Sequence, residues 1–127
     1  MNFYVASGLK NVEQVRLVSN RLKQNGWTHT YDWTITLLDD SNISIVAQEE
    51  FEGVKKADVV IILNPKGRGT HVELGMAIAF NKKIYIYDGD GSVFDNINQT
   101  VTFYWLPQIK RVSGTIEDAI DVILNDN

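Results

Sequence analysis

Glu73 is the residue of this chain whose setting most clearly permits chemistry. It lies in Gly67-Arg68-Gly69-Thr70-His71-Val72-Glu73-Leu74-Gly75, directly after the apolar run Asp58-Val59-Val60-Ile61-Ile62-Leu63-Asn64-Pro65. A buried strand that runs into a Gly-rich turn and then a helix is a ligand-facing arrangement in open parallel α/β sheets, where backbone N–H groups face the crevice. A carboxylate on an otherwise apolar helix start has two readings. It is a glutamate that complements the helix dipole, stabilised by roughly 0.3–1 kcal/mol, or it is an ionised nucleophile held by the helix start and a hydroxyl donor.

Two familiar phosphate-binding patterns do not fit the turn. No Gly-Lys-Ser/Thr follows Gly67 at P-loop spacing, and the dinucleotide fingerprint belongs near the first strand with an acid about 20 residues on. Neither ATP hydrolysis nor NAD binding is supported, and no cofactor is expected.

The elements that must position Glu73 follow from periodicity. Phe3–Ala6 forms a first strand that turns at Ser7-Gly8. Asn11 caps a helix running to about Asn25, with Val12, Val15, Val18 and Leu22 at helical spacing, and Gly26 ends it. Trp27–Tyr31 is a second, shorter strand, and Thr34–Asn42 a loop with a polar turn at Asp39-Asp40-Ser41-Asn42. A helix over Ile43–Lys56 has an apolar face of Ile43, Val46, Ala47, Phe51 and Val54. Asp58–Leu63 lacks alternation, as a central parallel strand buried on both faces does. The next helix is expected over Thr70–Asn81, and Lys83–Tyr87 is a fourth strand followed by the turn Asp88-Gly89-Asp90-Gly91. Phe94–Trp105 fits a strand, a lid or a dimer contact. Ile109–Val112 is a fifth strand, and Thr115 caps a closing helix with Glu117 and Asp118 in its first turn.

Strands alternating with helices predict parallel right-handed crossovers, hence an α/β fold with a three-layer, doubly wound parallel sheet. The expected form is a single flavodoxin-like domain over residues 1–127, with about five strands in the order 2-1-3-4-5. Its crevice lies between the first and third strands, which brings Tyr4, Ser7, Gly8 and the Gly67–Glu73 segment side by side.

Composition narrows the function. The chain has 127 residues, 44% hydrophobic and 22% charged, with no low-complexity tract or repeat, as expected of one globular domain. Net charge is −4 and the 12 basic residues are scattered, which argues against a nucleic-acid polymer as partner. A small anion remains compatible with one helix N-terminus and a lysine. Cysteine is absent, so disulfides and thiolate chemistry are excluded. Two histidines, His29 and His71, give no zinc spacing. Asp88–Ser92 lacks the Gly and Glu of a calcium loop, with Val93 and Gln99 in their places. No metal is expected. The N-terminus has neither a signal-peptide pattern nor a membrane span, so no membrane association and a cytoplasmic location are expected.

Several segments together resemble the nucleoside 2-deoxyribosyltransferase family: Tyr4-Val5-Ala6-Ser7, Tyr31-Asp32-Trp33, Ala57-Asp58-Val59-Val60 and Gly67–Gly75, in order and at compatible spacing up to about Tyr87. The Gly-Thr-x-x-Glu-x-Gly core, Gly69–Gly75, is the most specific piece. The resemblance implies that Glu73 attacks the anomeric carbon of a 2-deoxynucleoside and forms a covalent glycosyl ester, released to a second base or to water with retention. It implies that Tyr4 supplies the hydroxyl that orients this nucleophile. It places an acid that handles the nucleobase at Glu50, although Glu49 is adjacent and both also fit the polar face of their helix; Asp32 is a further candidate. Trp33 borders the expected pocket, and His71 is a candidate ligand contact inside the motif.

The chain departs from the family at one point. The acid that assists base protonation shortly before the catalytic glutamate is replaced by Gly67 and Arg68. Arg68 suits a more anionic ligand, such as the 5′-phosphate bound by the related nucleoside 5′-monophosphate N-glycosidases. Ser7-Gly8-Leu9-Lys10 approximates the Gly/Ser-rich basic first loop of those enzymes. Gly67, Arg68, Gly69 and Thr70 complete the expected substrate contacts. The implied activity is transfer or hydrolysis at an N-glycosidic bond, with a nucleotide-binding module that has lost catalysis as the alternative. The apolar helix at Thr70–Asn81 and Phe103-Tyr104-Trp105 point to a homodimer or higher homo-oligomer with a shared site.

Overall fold

Strands without polar alternation need cover on both faces, and the chain supplies it with helices. A computed structural model describes residues 1–127. Its elements are β1 (Asn2–Ser7), α1 (Val12–Gln24), β2 (Thr28–His29), a 3-10 turn (Trp33–Ile35), α2 (Ile43–Lys56), β3 (Val59–Leu63), α3 (Arg68–Ala79), β4 (Lys83–Tyr87), α4 (Ser92–Asp95), a second 3-10 turn (Thr102–Trp105), β5 (Ile109–Val112) and α5 (Ile116–Asn125). The five strands form one parallel sheet in the order β2-β1-β3-β4-β5. This is the doubly wound α/β arrangement that strand–helix alternation predicts. No helix is long and apolar enough to cross a membrane.

Strand parity divides the core in two. Phe3, Val5, Val59, Ile61 and Leu63 point to the side of α1 and α5, where they pack with Val15, Val18, Leu22 and Ile120. Tyr4, Ala6, Val60 and Ile62 alternate to the opposite side and pack with Val54, Leu74 and Ala77 of α2 and α3. The β1–β3 register sets Tyr4 beside Val60 and Ser7 beside Leu63. Tyr4 therefore projects into the same layer as α3, the helix that carries Glu73.

Four elements differ from their predicted form. β2 pairs with β1 only at Thr28 and His29, short of the predicted Trp27–Tyr31. Beyond it the Trp33 indole Nε1 donates to the Val5 carbonyl at 2.7 Å, so a side chain takes the place of further strand. α3 begins at Arg68, two residues before the predicted Thr70, because Gly67 is extended and the Thr70 hydroxyl accepts from its N–H at 2.9 Å. That start puts Glu73 in the second turn. α2 has the predicted bounds but a rotated face: Val46, Gly53 and Val54 are buried, while Ile43 and Phe51 are 56% and 40% exposed. Finally, Phe94–Trp105 holds the end of a short helix, a connection and a 3-10 turn in which Tyr104 is fully buried, and no strand.

Candidate active site

The C-terminal ends of β1 and β3 meet through two loops that touch backbone to backbone. Gly8 N–H donates to the Pro65 carbonyl at 2.8 Å. A Cβ on Gly8 would stand 2.9 Å from that same oxygen, so only glycine permits the approach. The Ser7 hydroxyl reinforces the junction, donating to the Leu63 carbonyl at 2.8 Å, and receives the Asn11 amide at 2.9 Å. Ser7 thus fixes the two loops rather than offering its proton outward.

Above this junction opens a crevice of about 630 Å³. Ser7, Gly8, Lys10, Trp33 and Glu50 line it from one side, and Gly67, Arg68, Gly69, Thr70 and Glu73 from the other. Lys66, Thr36, Leu38 and Val46 also line it, and they carry no motif that would single them out in sequence. A second concavity of about 610 Å³ lies across Pro65, beside Asn11, Gln14 and Tyr87, and holds none of Tyr4, Glu50 and Glu73.

Glu73 lies at the floor, 8% exposed, and accepts a hydrogen bond from the hydroxyl of fully buried Tyr4. Burial drives the Glu73 carboxyl up; the Tyr4 bond opposes this and the nearby Glu50 charge adds to it, leaving it pushed up to about 7. Burial likewise raises Glu50, against a lowering contribution from Tyr4. The Tyr4 hydroxyl is held strongly protonated by its own burial and by the Glu73 charge, so it acts as a donor only. A buried carboxyl bonded to a buried hydroxyl, with the charge of a second carboxyl raising it further, is an arrangement typical of acid–base and nucleophilic sites. The buried position does not suit a dipole-complementing glutamate, which belongs in the first, exposed turn.

The electrostatics change sign at the rim. Lys10, Lys66 and Arg68 line the crevice, and neither ion pair of the chain, Arg21–Asp121 or Lys110–Asp126, engages them. The first amides of α3 lack intrahelical acceptors, and Gly67 at the N-cap has no side chain to satisfy them. Cations and free N–H groups at a helix start form a place for an anion.

Two expected contacts lie elsewhere. Asp32 caps the first 3-10 turn, accepting from the Thr34 N–H at 3.0 Å and the Thr34 hydroxyl at 2.6 Å. Burial alone would raise its carboxyl, but the Thr34 bonds outweigh that and hold it below its ordinary range. His71 is two residues before Glu73, about 200° around the helix, and its Nε2 meets the buried Tyr104 hydroxyl at 2.9 Å, beside Val101 and Phe103. Burial, with a smaller effect from Lys66, lowers its pKa. The Lys66 ammonium lies over the Tyr104 ring at 6.0 Å, so this pair supports the β3–α3 loop from behind.

Comparison with known proteins bears on the fold and the family. No curated protein sequence matches the chain. Among solved structures it is similar to the Clostridium botulinum CMP N-glycosidase BcmB, with TM-score 0.72 and 14% identity over 100% of both chains. It is also similar to a conserved protein from Enterococcus faecalis V583, with TM-score 0.65 and 15% identity over 100% of this chain and 99% of the other. At these identities the similarity is one of fold. The family model described as nucleoside 2-deoxyribosyltransferase matches residues 3–120, from the strand that carries Tyr4 to the last helix, and the chain therefore belongs to the nucleoside 2-deoxyribosyltransferase family.

Proposed function

We propose that this protein breaks the N-glycosidic bond of a nucleoside 5′-monophosphate through a covalent glycosyl ester on Glu73, and passes the sugar to water or to a second base. The observation that carries the reading is the Tyr4–Glu73 hydrogen bond at the floor of the crevice. One Glu73 carboxylate oxygen attacks the anomeric carbon, and the bond from that carbon to the base nitrogen breaks with its electron pair on the base. Tyr4 keeps its proton and fixes the carboxylate by donation. The ester is then opened by water, which yields the free sugar phosphate, or by an acceptor base, which yields a new nucleotide.

The departing base needs a proton, and the position where the family carries a helper acid holds Gly67-Arg68. Glu50 supplies it in this proposal. It lines the same crevice, and burial raises its carboxyl so that it keeps a proton to higher pH than an exposed glutamate. Trp33, Val46 and Leu38 offer the apolar wall against which a base would lie.

Lys10, Lys66 and Arg68, none of them held in an ion pair, and the first α3 amides favour a monophosphate over an uncharged nucleoside. A fold neighbour whose name gives CMP as its substrate belongs to the same chemical class. The missing helper acid favours the second reading, a nucleotide-binding module without turnover. Incubation with 2-deoxynucleosides and with nucleoside 5′-monophosphates, with and without an acceptor base, separates the two. Release of free base that disappears in Glu73→Ala supports the enzyme; nucleotide binding without release supports the module.

The proposal extends to assembly. α3 is apolar nearly all round: its only charged residues are Arg68 and the buried Glu73, and Val72 on its outer side is 64% exposed. With exposed Phe103 and Trp105 nearby in the second 3-10 turn, this face suits a second copy of the chain.

A further inference from the structure

Gly53 is an interior residue of α2, where glycine costs about 1 kcal/mol relative to alanine. Its φ is not in the left-handed region, so the backbone does not require glycine there. The surroundings do. A Cβ on Gly53 would stand 3.1 Å from both Cδ2 and Cε2 of the Tyr4 ring and 2.9 Å from Tyr31 Cβ, whereas Gly69 and Gly75 of α3 have nothing within 4 Å. The Gly53 carbonyl accepts the Thr30 hydroxyl at 2.7 Å, with the Phe3 carbonyl of β1 3.2 Å from the same oxygen. α2 is thereby seated on β1 at the point where the Tyr4 ring leaves the strand.

We propose that Gly53 is a positioning residue: its missing side chain lets the α2 backbone lie flat against the Tyr4 ring and so sets where the Tyr4 hydroxyl meets Glu73. The ring is fully buried, and a methyl group on Gly53 presses on its Cδ2–Cε2 edge, so the ring shifts and carries the hydroxyl away from its bond. A weaker bond withdraws support from the ionised carboxylate. The consequence for rate rests on the proposed role of Glu73; the consequence for Glu73 ionisation rests on the geometry alone.

The experiment measures both in the full chain. The ¹³C-carboxyl resonance of Glu73, assigned with Glu73→Gln, is titrated in wild type, Gly53→Ala, Tyr4→Phe and the double variant. Base release is followed in parallel. The expected result for Gly53→Ala is a Glu73 midpoint displaced upward in the direction seen for Tyr4→Phe. kcat falls about ten-fold with KM changed less than about two-fold, and no further change appears once Tyr4 is phenylalanine. A Gly53→Ala midpoint and kcat equal to wild type overturn the proposal, as does a displacement of the same size in the Tyr4→Phe background. If wild type releases no base, the functional reading fails by itself and the Glu73 midpoint still decides the role of Gly53. If Gly53→Ala does not fold, Gly53→Ala/Tyr31→Gly removes the 2.9 Å contact while leaving those to Tyr4, and the same outcomes are read against Tyr31→Gly alone.

Discussion

The Tyr4 hydroxyl donates to Glu73 across 69 positions of sequence, from the interior strand β1 to the second turn of α3. Both partners are buried; the Glu73 charge raises the Tyr4 hydroxyl, while the Tyr4 bond lowers the Glu73 carboxyl against the larger rise that burial causes.

The pH dependence of turnover follows. Glu73 must be ionised to attack, and its carboxyl is pushed up to about 7. Activity therefore rises with pH as Glu73 ionises, through about 7, and falls where Glu50 releases the proton it gives the base. Tyr4→Phe removes a bond that favours the anion, so the rising limb moves to higher pH and kcat drops about 10- to 100-fold, the range for a hydrogen bond to a charged group. A pH–rate profile of kcat for both proteins checks this; an unchanged limb in Tyr4→Phe would place the titration elsewhere.

The same shift affects stability with a definite sign. Below the ordinary glutamate value of 4.5, folded and unfolded chains both hold the proton and nothing is lost. Between 4.5 and about 7 the unfolded chain has released it while the folded chain has not, so stability falls as pH rises, and the penalty is complete above about 7. Glu73→Gln removes this pH dependence. Relative to wild type it gains on the order of 3 kcal/mol more at pH 8 than at pH 4.5, measured by urea unfolding at the two pH values.

The cationic rim predicts a split between substrates. Arg68→Ala and Lys66→Ala each raise KM for a nucleoside 5′-monophosphate about ten-fold or more, the size of a charge-assisted hydrogen bond. The matching nucleoside changes less than about two-fold. Equal losses for both would remove the phosphate from that rim.

Association over α3 is tested by light scattering. Val72→Asp puts a charge on the exposed apolar side of that helix, and the mass falls from a multiple of 14.4 kDa to that of one chain. A wild-type mass of one chain would contradict the assembly.

The fold and the loop that holds Glu73 were legible because both follow from local pattern. A continuous Val/Ile strand, a Gly-rich turn and an apolar helix fix the β3–α3 unit, and strand parity alone sends Tyr4 to the same layer. The failures share a cause: each was decided by a partner distant in sequence. Ile43 and Phe51 compete with Val46 and Val54 for the inner face of α2, and only packing against β1 resolves the rotation that turns Glu50 toward the crevice. The strand predicted at Trp27–Tyr31 is cut short by the Trp33 indole on Val5. No local pattern in sequence marks Gly53, and its meaning appears only beside Tyr4 and Tyr31. His71 was the exception that helical geometry could have caught, since it cannot share a face with Glu73.

In the proposed reaction Glu73 itself carries the sugar. Acid quenching during turnover of a nucleoside 5′-monophosphate, followed by peptide mass spectrometry, tests it most directly. The expected result is a glycosyl phosphate adduct on the peptide containing Glu73, absent in Glu73→Gln along with base release. An adduct on Glu50, or undiminished base release by Glu73→Gln, would contradict it.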